Sequence, residues 1–333
     1  MTSKNLSLKN KPFLLKPVGK DYLWGGTRLN DDFSKGIDLN PLAETWECST
    51  HPDGLSMVAS GEFKGTTLAA LLHGQPQFLG KRYAALGELP ILIKLIDAKQ
   101  DLSVQVHPDD KYAYNKEHGQ RGKTEMWYVL DARKGAQLVY GFSHDLDKAT
   151  LEESLHSGDV EKYLQKVSVK KDDVFFIKPG TVHAIGAGAL IAEIQESSNL
   201  TYRLFDYNRL DKNGKKRELH IAKALAVADL HGSDKPKQPL RVLKYRRGYA
   251  SELLCQCKYF QVERILINTE RCRELAVLQA DAEAFQVLLC TNGCGTMIYE
   301  GEVLQLFRGD CVFIPANSVE IKIHGRLQML RVR

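Results

Sequence analysis

A mainly β fold with helical segments, organised as two β-rich domains, is the architecture this sequence predicts. Three observations carry that expectation. Short runs of β-branched and aromatic residues recur along the chain, punctuated by Gly, Asp and Pro. The length of 333 residues is that of about two domains. A pattern also occurs twice: Asp173 to His183 and Asp310 to Glu320 each place an Asp, an apolar run, a Pro turn and a polar residue ten positions on.

In chain order, strand patterns fall at Ile91–Ile96, Leu102–His107, Met126–Leu130, Gln137–Tyr140, Val174–Ile177 and Leu190–Gln195, then at Phe260–Ile267, Phe285–Cys290 and Leu327–Val332. Helical patterns fill the gaps and place helices beside a β-barrel. One follows Thr66 and Thr67 through Leu68, Leu71 and Leu72. Another is expected to start at Pro108, whose fixed φ suits a first helical position, with Asp109 and Asp110 at the positive end. Thr150 and Glu153 have capping-box spacing and open a helix to about Leu155, and 160–167 adds another turn or two. In the second copy of the repeat Glu320 stands where the first has His183, and no Gln-x-His partner lies near 285–290. The C-terminal domain is therefore read as holding no metal.

Composition excludes several classes. With 43% hydrophobic and 26% charged residues the chain can bury a sizeable core. The net charge of +5 is scattered, and Lys215-Lys216-Arg217 and Arg246-Arg247 read as solvated loop clusters rather than a nucleic-acid surface. A mildly basic balance helps attract an anionic small molecule. Of seven cysteines, the spacings Cys255-x-Cys257 and Cys290-x-x-x-Cys294 lack a nearby His or second CxxC, so reduced, packed thiols are expected. The first sixteen residues contain several lysines and only the short apolar run Phe13-Leu14-Leu15, and Lys94 interrupts the most apolar stretch, 89–96. No leader and no membrane span is expected, which points to a cytoplasmic location.

Four side chains carry the chemistry. Gln105 and His107 lie two apart in an alternating stretch, so both face one side of a strand and can reach one ion. Glu125 and His183 each stand at the edge of an apolar run. A histidine taken alone is more often a hydrogen-bonded surface or core residue. An amide oxygen, a carboxylate and two imidazoles together suit zinc, iron or manganese better than calcium, and the lack of thiolates argues against a closed structural zinc site. As a neutral ligand Gln105 is the weakest of the four, and its other role is to orient a neighbour.

Around these residues run Trp24-Gly25-Gly26-Thr27-Arg28-Leu29, Ala43-Glu44-Thr45-Trp46-Glu47, Glu193-Ile194-Gln195-Glu196-Ser197-Ser198 and Thr201-Tyr202-Arg203-Leu204-Phe205-Asp206-Tyr207. With the ligand strand they resemble the type I mannose-6-phosphate isomerases, in their short bacterial branch. The resemblance covers about the first two thirds of the chain. It implies a catalytic, metal-binding cupin (jelly-roll) β-barrel domain over 1–238 with interspersed helices, and a smaller degenerate cupin-like β-domain over 239–333. It also implies one zinc ion per chain, a phosphosugar substrate, and interconversion of mannose 6-phosphate and fructose 6-phosphate through an enediol.

Residue by residue, the resemblance gives Arg203 the place of the family's catalytic arginine, a planar permanent charge suited to a developing enediolate. Glu193 matches an active-site carboxylate that could transfer a proton or orient Arg203. Lys123 matches a lysine that contacts substrate oxygens or helps shuttle protons. Ser103 and Arg209 are the expected phosphate contacts. Asn199-Leu200 stands where the family often has Asp-Thr, which makes that loop a place where sugar fit is tuned. Two other readings stay open at this level: an iron-dependent cupin oxygenase, and a sugar-binding or regulatory cupin without turnover. The charged cradle of Glu193, Lys123, Arg203 and Arg209 favours isomerisation, since an oxygenase has no need of it.

Overall fold

The computed structural model describes residues 9–211, 213–271 and 274–333. Residues 1–8, part of the stretch read above for a leader, and Cys272 lie outside them. Among the described residues no helix is long and apolar enough to cross a membrane. The described residues form two compact units, one from 18–46 and 91–239, the other from 9–17, 47–90 and 240–333. These units are discontinuous in sequence, where a single division between 238 and 239 was expected. The strand Phe13–Lys16 pairs with Cys311–Ile314 on one side and Met57–Val58 on the other, so N-terminal residues complete the sheet of the second unit.

The first unit holds a six-stranded and a five-stranded sheet. The six-stranded sheet runs Val174–Ile177, Glu125–Ala132, Ala189–Glu196, Ile91–Asp97, Glu44–Cys48, Val18–Lys20. The five-stranded sheet runs Tyr202–Phe205, Val104–Val106, His183–Ile185, Gln137–Phe142, Leu164–Ser168. Side chains alternate along a strand, so each sheet has two distinct faces. Ile96, Trp127, Val129 and Ile191 of the larger sheet share one buried cluster with Leu138 and Ile185 of the smaller, which sets those faces against each other. Val104, Val106, Ala184 and Leu204 point the other way, where Leu151, Leu155 and Ala224 of two helices cover them. The residues between, including Gln105, His183 and Arg203, are thereby turned toward the inner face.

Two helical expectations shift by a few residues and a third gives way largely to a strand, each for a visible reason. The helix Lys148–Ser157 is capped by Asp147, whose carboxylate accepts from the Thr150 backbone at 2.8 Å and its hydroxyl at 2.9 Å. Thr150 is thus inside the first turn, because a carboxylate is the stronger acceptor. The helix Asp110–Lys116 starts after Asp109, which caps Tyr112 N at 2.7 Å, while Pro108 stays outside and accepts from Lys123 N at 3.1 Å. The expected helical turns over 160–167 are a short 3₁₀ turn, Val160–Lys162, followed by the strand Leu164–Ser168. Pairing of Leu138 with Val167 and Val139 with Lys166 outweighs local propensity there.

In the second unit a ten-stranded sheet surrounds an interior of packed apolar side chains, among them Ile265, Leu288, Met297, Val312, Ile321 and Met329. The repeat does recur as structure, since Val174–Ile177 and Cys311–Ile314 are both strands. Its last position differs. His183 is fully buried, whereas Glu320 is exposed and pairs with Lys322 at 3.5 Å.

Candidate active site

Two cross-strand rows build the site. In the smaller sheet His183 pairs with Gln105 and Gln105 with Arg203, so these three stand side by side on the inner face. In the larger sheet Lys94 pairs with Glu193 and Glu193 with Trp127, while Glu125 pairs with Gln195 on the neighbouring rung. A cleft of about 260 Å³ opens on them, lined by Lys94, Gln105, Lys123, Glu193, Arg203 and Arg217 along with Trp24, Glu44, Ser103, Asn199 and Thr201. That size lies below the roughly 300–1,000 Å³ of drug-sized sites and suits one small polar molecule.

Among the described residues, His107, Glu125 and His183 are the one group of three whose ligand atoms all lie within 4.8 Å of one another, and all three are buried. Glu125 Oε1 is 3.2 Å from His107 Nε2, and Oε2 is 3.7 Å from His183 Nε2. Two ligands each about 2.0–2.1 Å from a common zinc-like ion stand no more than about 4.2 Å apart, so both separations fit. His183 Nδ1 lies 2.8 Å from the Thr181 carbonyl, which takes its N–H and leaves Nε2 facing the cluster as acceptor. Gln105 sits beside the group, its amide 3.5 Å from His183 Nε2. His107 closes the strand: the paired segment ends at Val106, and His107 continues on the face set by Gln105.

The electrostatics favour ligation. Burial, then the Lys123 ammonium, pushes the His107 imidazole down to about 3, and burial also lowers His183, so both rings are neutral and free to bind a cation. Burial works against the charge of Glu125, but Lys123, 2.6 Å from Oε1, together with His107 and His183 outweighs it and holds the carboxyl well below its ordinary value. Glu193 is pushed the other way, first by burial and next by the charge of Glu125. Trp127 Nε1 donates to Glu193 at 2.9 Å and to Glu125 at 3.1 Å, tying the two carboxylates together. For Lys94, burial opposes the charge, yet Glu44, Glu193 and Glu125 outweigh it and raise its pKa above the ordinary lysine value. Its ammonium is 3.2 Å from Glu193 and 3.8 Å from Glu44. Two lysines thus face three carboxylates here, a formal excess of one negative charge that a divalent cation would reverse.

The residues read from sequence separate at this point. Ser103, Gln105, Lys123, Glu193 and Arg203 line the cleft, and Arg203 Nε donates to Ser103 Oγ at 3.3 Å while NH1 donates to the Glu218 carbonyl at 2.7 Å. Glu193 is held by Lys94 and Trp127, whereas Arg203 takes its orientation from Ser103 and Glu218. Arg209 does not line the cleft; Asp206 takes its guanidinium. In its place stands Arg217, which donates to the same Asp206 carboxylate at 2.7 and 2.6 Å and reaches the cleft wall. Sequence reading assigned Arg217 to a solvated cluster because a loop return has no periodicity. Lys94 and Trp127 were also missed as site residues. For Lys94 a signal existed, since one lysine inside an apolar strand needs a buried partner.

Comparison with known proteins places these features. The description "Phosphomannose isomerase type I, catalytic domain" matches residues 13–137, and "Mannose-6-phosphate isomerase, cupin domain" matches 251–333. A mannose-6-phosphate isomerase of Bacillus subtilis, ManA, is 36% identical over 96% of this chain and 97% of its own length. The crystal structure of a mannose 6-phosphate isomerase from the same organism superposes with a TM-score of 0.88 at 36% identity, covering 97% of this chain and all of that one. A mannose 6-phosphate isomerase structure bound with zinc and yttrium shares the fold at 17% identity, with a TM-score of 0.72 over 97% of this chain and 99% of its own.

Proposed function

The chain belongs to the type I phosphomannose isomerases, and from that premise we propose that it interconverts mannose 6-phosphate and fructose 6-phosphate. The observation that carries the reading is the buried His107, Glu125 and His183 cluster opening on a small cleft with Arg203 and Glu193 on its walls. One zinc ion per chain is the cofactor we infer, held by His107, Glu125 and His183 with Gln105 beside them; the donor set suits zinc, and the zinc-bound isomerase has the same fold. When bound, such an ion supplies Lewis-acid polarisation of substrate oxygens.

The chain's own residues do the rest. Isomerisation moves a proton between C2 and C1, and negative charge develops on the two oxygens on the way. Arg203 is a fixed planar donor for that charge, already aligned by Ser103 and by the Glu218 carbonyl. Glu193 is the carboxylate we assign to proton transfer. Burial and the nearby charge of Glu125 raise its pKa toward the working range of a base, and Lys94 and Trp127 hold its orientation. Lys123 stabilises Glu125 and faces the same cleft, where its ammonium can contact substrate oxygens. A phosphosugar substrate fits a cytoplasmic enzyme, and we assign that compartment on this ground.

For the phosphate we assign Ser103 and Arg217, with Arg217 taking the role that sequence position alone gave to Arg209. Removing Arg217 leaves Asp206 still paired with Arg209, so the fold should tolerate the change. Arg217→Ala is expected to raise KM for the phosphosugar roughly 10–100-fold, the loss of one charge-assisted contact of about 1.5–3 kcal/mol, with kcat nearly unchanged. Arg209→Ala, measured alongside, should move KM far less. The opposite ranking would return the phosphate to Arg209.

The experiment that tests the function is a coupled assay of mannose 6-phosphate conversion on the purified protein, before chelation, after it, and after zinc is added back. Loss and recovery of turnover is the expected result. A folded, zinc-loaded protein without turnover would transfer the reading to another phosphosugar or to a non-catalytic sugar-binding protein.

A further inference from the structure

A second carboxyl pair lies behind the site, and nothing in the reaction described above uses it. Glu196 is buried at the end of the Ala189–Glu196 strand, three residues beyond Glu193. Its carboxyl accepts from the backbone N–H of Thr124 at 2.8 Å, and its own N–H donates to the Thr124 carbonyl at 3.1 Å. Asp110, the first residue of the Asp110–Lys116 helix, accepts from the backbone N–H of Gly122 at 3.1 Å and hydrogen-bonds the Glu196 carboxyl. Between these two anchors, Lys123 N donates to the Pro108 carbonyl at 3.1 Å. Three consecutive backbone N–H groups, 122 to 124, are therefore each fixed from behind. Their chain immediately presents Lys123 and Glu125 to the cleft and the ligand cluster.

Two carboxyls in hydrogen-bond contact cannot both be ionised without strong repulsion, so one proton lies between them. Burial first, and the Asp110 charge with it, pushes the Glu196 carboxyl up to about 7, in keeping with that arrangement. Space admits little adjustment: a Cβ added at Gly122 would meet the Asp109 carbonyl carbon and Asp110 N at 2.5 Å. The 121–124 segment thus lies close against the start of the helix, and its position there depends on the anchors that hold it.

We propose that Glu196 and Asp110 form a proton-sharing carboxyl pair that positions the 122–124 backbone, and through it Lys123 and Glu125. Both are positioning residues, acting through the segment they hold. The proposal rests on the metal-dependent reading of the site, but its test has a readout independent of turnover. An amide reproduces the protonated carboxyl here: in Glu196→Gln the amide nitrogen donates to Asp110 and its oxygen accepts from Thr124 N.

The test measures zinc affinity by chelator competition, together with kcat and KM for mannose 6-phosphate, on Glu196→Ala, Glu196→Gln, Asp110→Ala and Asp110→Asn. The two alanine variants are expected to lose about 10–100-fold in zinc affinity and to lose kcat more than KM, as removal of groups supporting metal ligands does. The two amide variants should keep wild-type affinity and rate within a few-fold. Should Glu196→Ala fail to fold, Asp110→Ala, at a less buried position, carries the same comparison. Wild-type zinc affinity in the alanine variants overturns the proposal, and so does equal damage in Glu196→Gln and Glu196→Ala, which would make charge rather than a shared proton the requirement. If the wild type binds zinc and turns over no mannose 6-phosphate, the functional reading fails while the affinity comparison still decides the pair.

Discussion

Replacing His183 by alanine is expected to abolish metal binding and turnover together. His183 is fully buried, its Nδ1 is committed to the Thr181 carbonyl, and its Nε2 is one of three ligand atoms within 4.8 Å of one another. Among the described residues no other His, Cys, Asp or Glu joins this group. Gln105, the nearest, lies 3.5 Å away on the paired strand and would need a shift of the sheet to take the vacated position. Water entering the truncated site would also restore solvation to Glu125, which weakens its hold on a cation. Elemental analysis of the purified variant checks the first half of the expectation and the coupled assay the second. Retention of stoichiometric metal would show that the cluster is not the binding site.

Arg203→Ala should separate what His183→Ala joins. Arg203 shares a cross-strand row with Gln105 and His183, but its guanidinium runs to Ser103 and the Glu218 carbonyl and forms no part of the ligand group. Its loss should leave metal content at the wild-type level and lower kcat by about 10²–10³-fold, the effect of removing one preorganised donor to a developing oxyanion. Lysine should recover little of the rate, since a point charge on a flexible stem does not reproduce the planar fork. Metal loss equal to that of the His183 variant would dissolve the distinction between ligand and catalytic arginine.

Much of the site was legible because its logic is local. Gln105 and His107 are two apart, and strand alternation places both on one face whatever the rest of the chain does. His183 follows the same rule, at the start of a strand whose Ala184 faces the helices and whose Ile185 enters the core. The strands around these residues were readable for the same reason. Their length and apolar content identify them without knowledge of their neighbours.

What sequence could not supply is which surface a loop residue meets. Arg209 and Arg217 both bind Asp206, and only the path of the chain after residue 209 turns Arg217 to the cleft and Arg209 away from it. Lys94 reads as an interruption of an apolar run until pairing with Glu193, and the approach of Glu44, show that its charge is matched. The make-up of the compact units was equally out of reach. A β-sheet recruits strands by edge pairing without regard to distance in sequence, so Phe13–Lys16 joins Cys311–Ile314 across most of the chain.

By itself, then, the sequence determined the strand-rich fold and the family, and it singled out the His107, Glu125 and His183 that the fold gathers, because spacing and residue chemistry act over short stretches. Tertiary structure alone decided which charges face one another, through the register of long-range pairing. That register sets Lys94 beside Glu193 and Arg203 beside Gln105, brings Arg217 to the cleft, and sets Glu196 with Asp110 behind the segment that carries Lys123 and Glu125. Coulomb and hydrogen-bond energies depend on separations of a few ångströms, and only the folded chain fixes those between residues far apart in sequence.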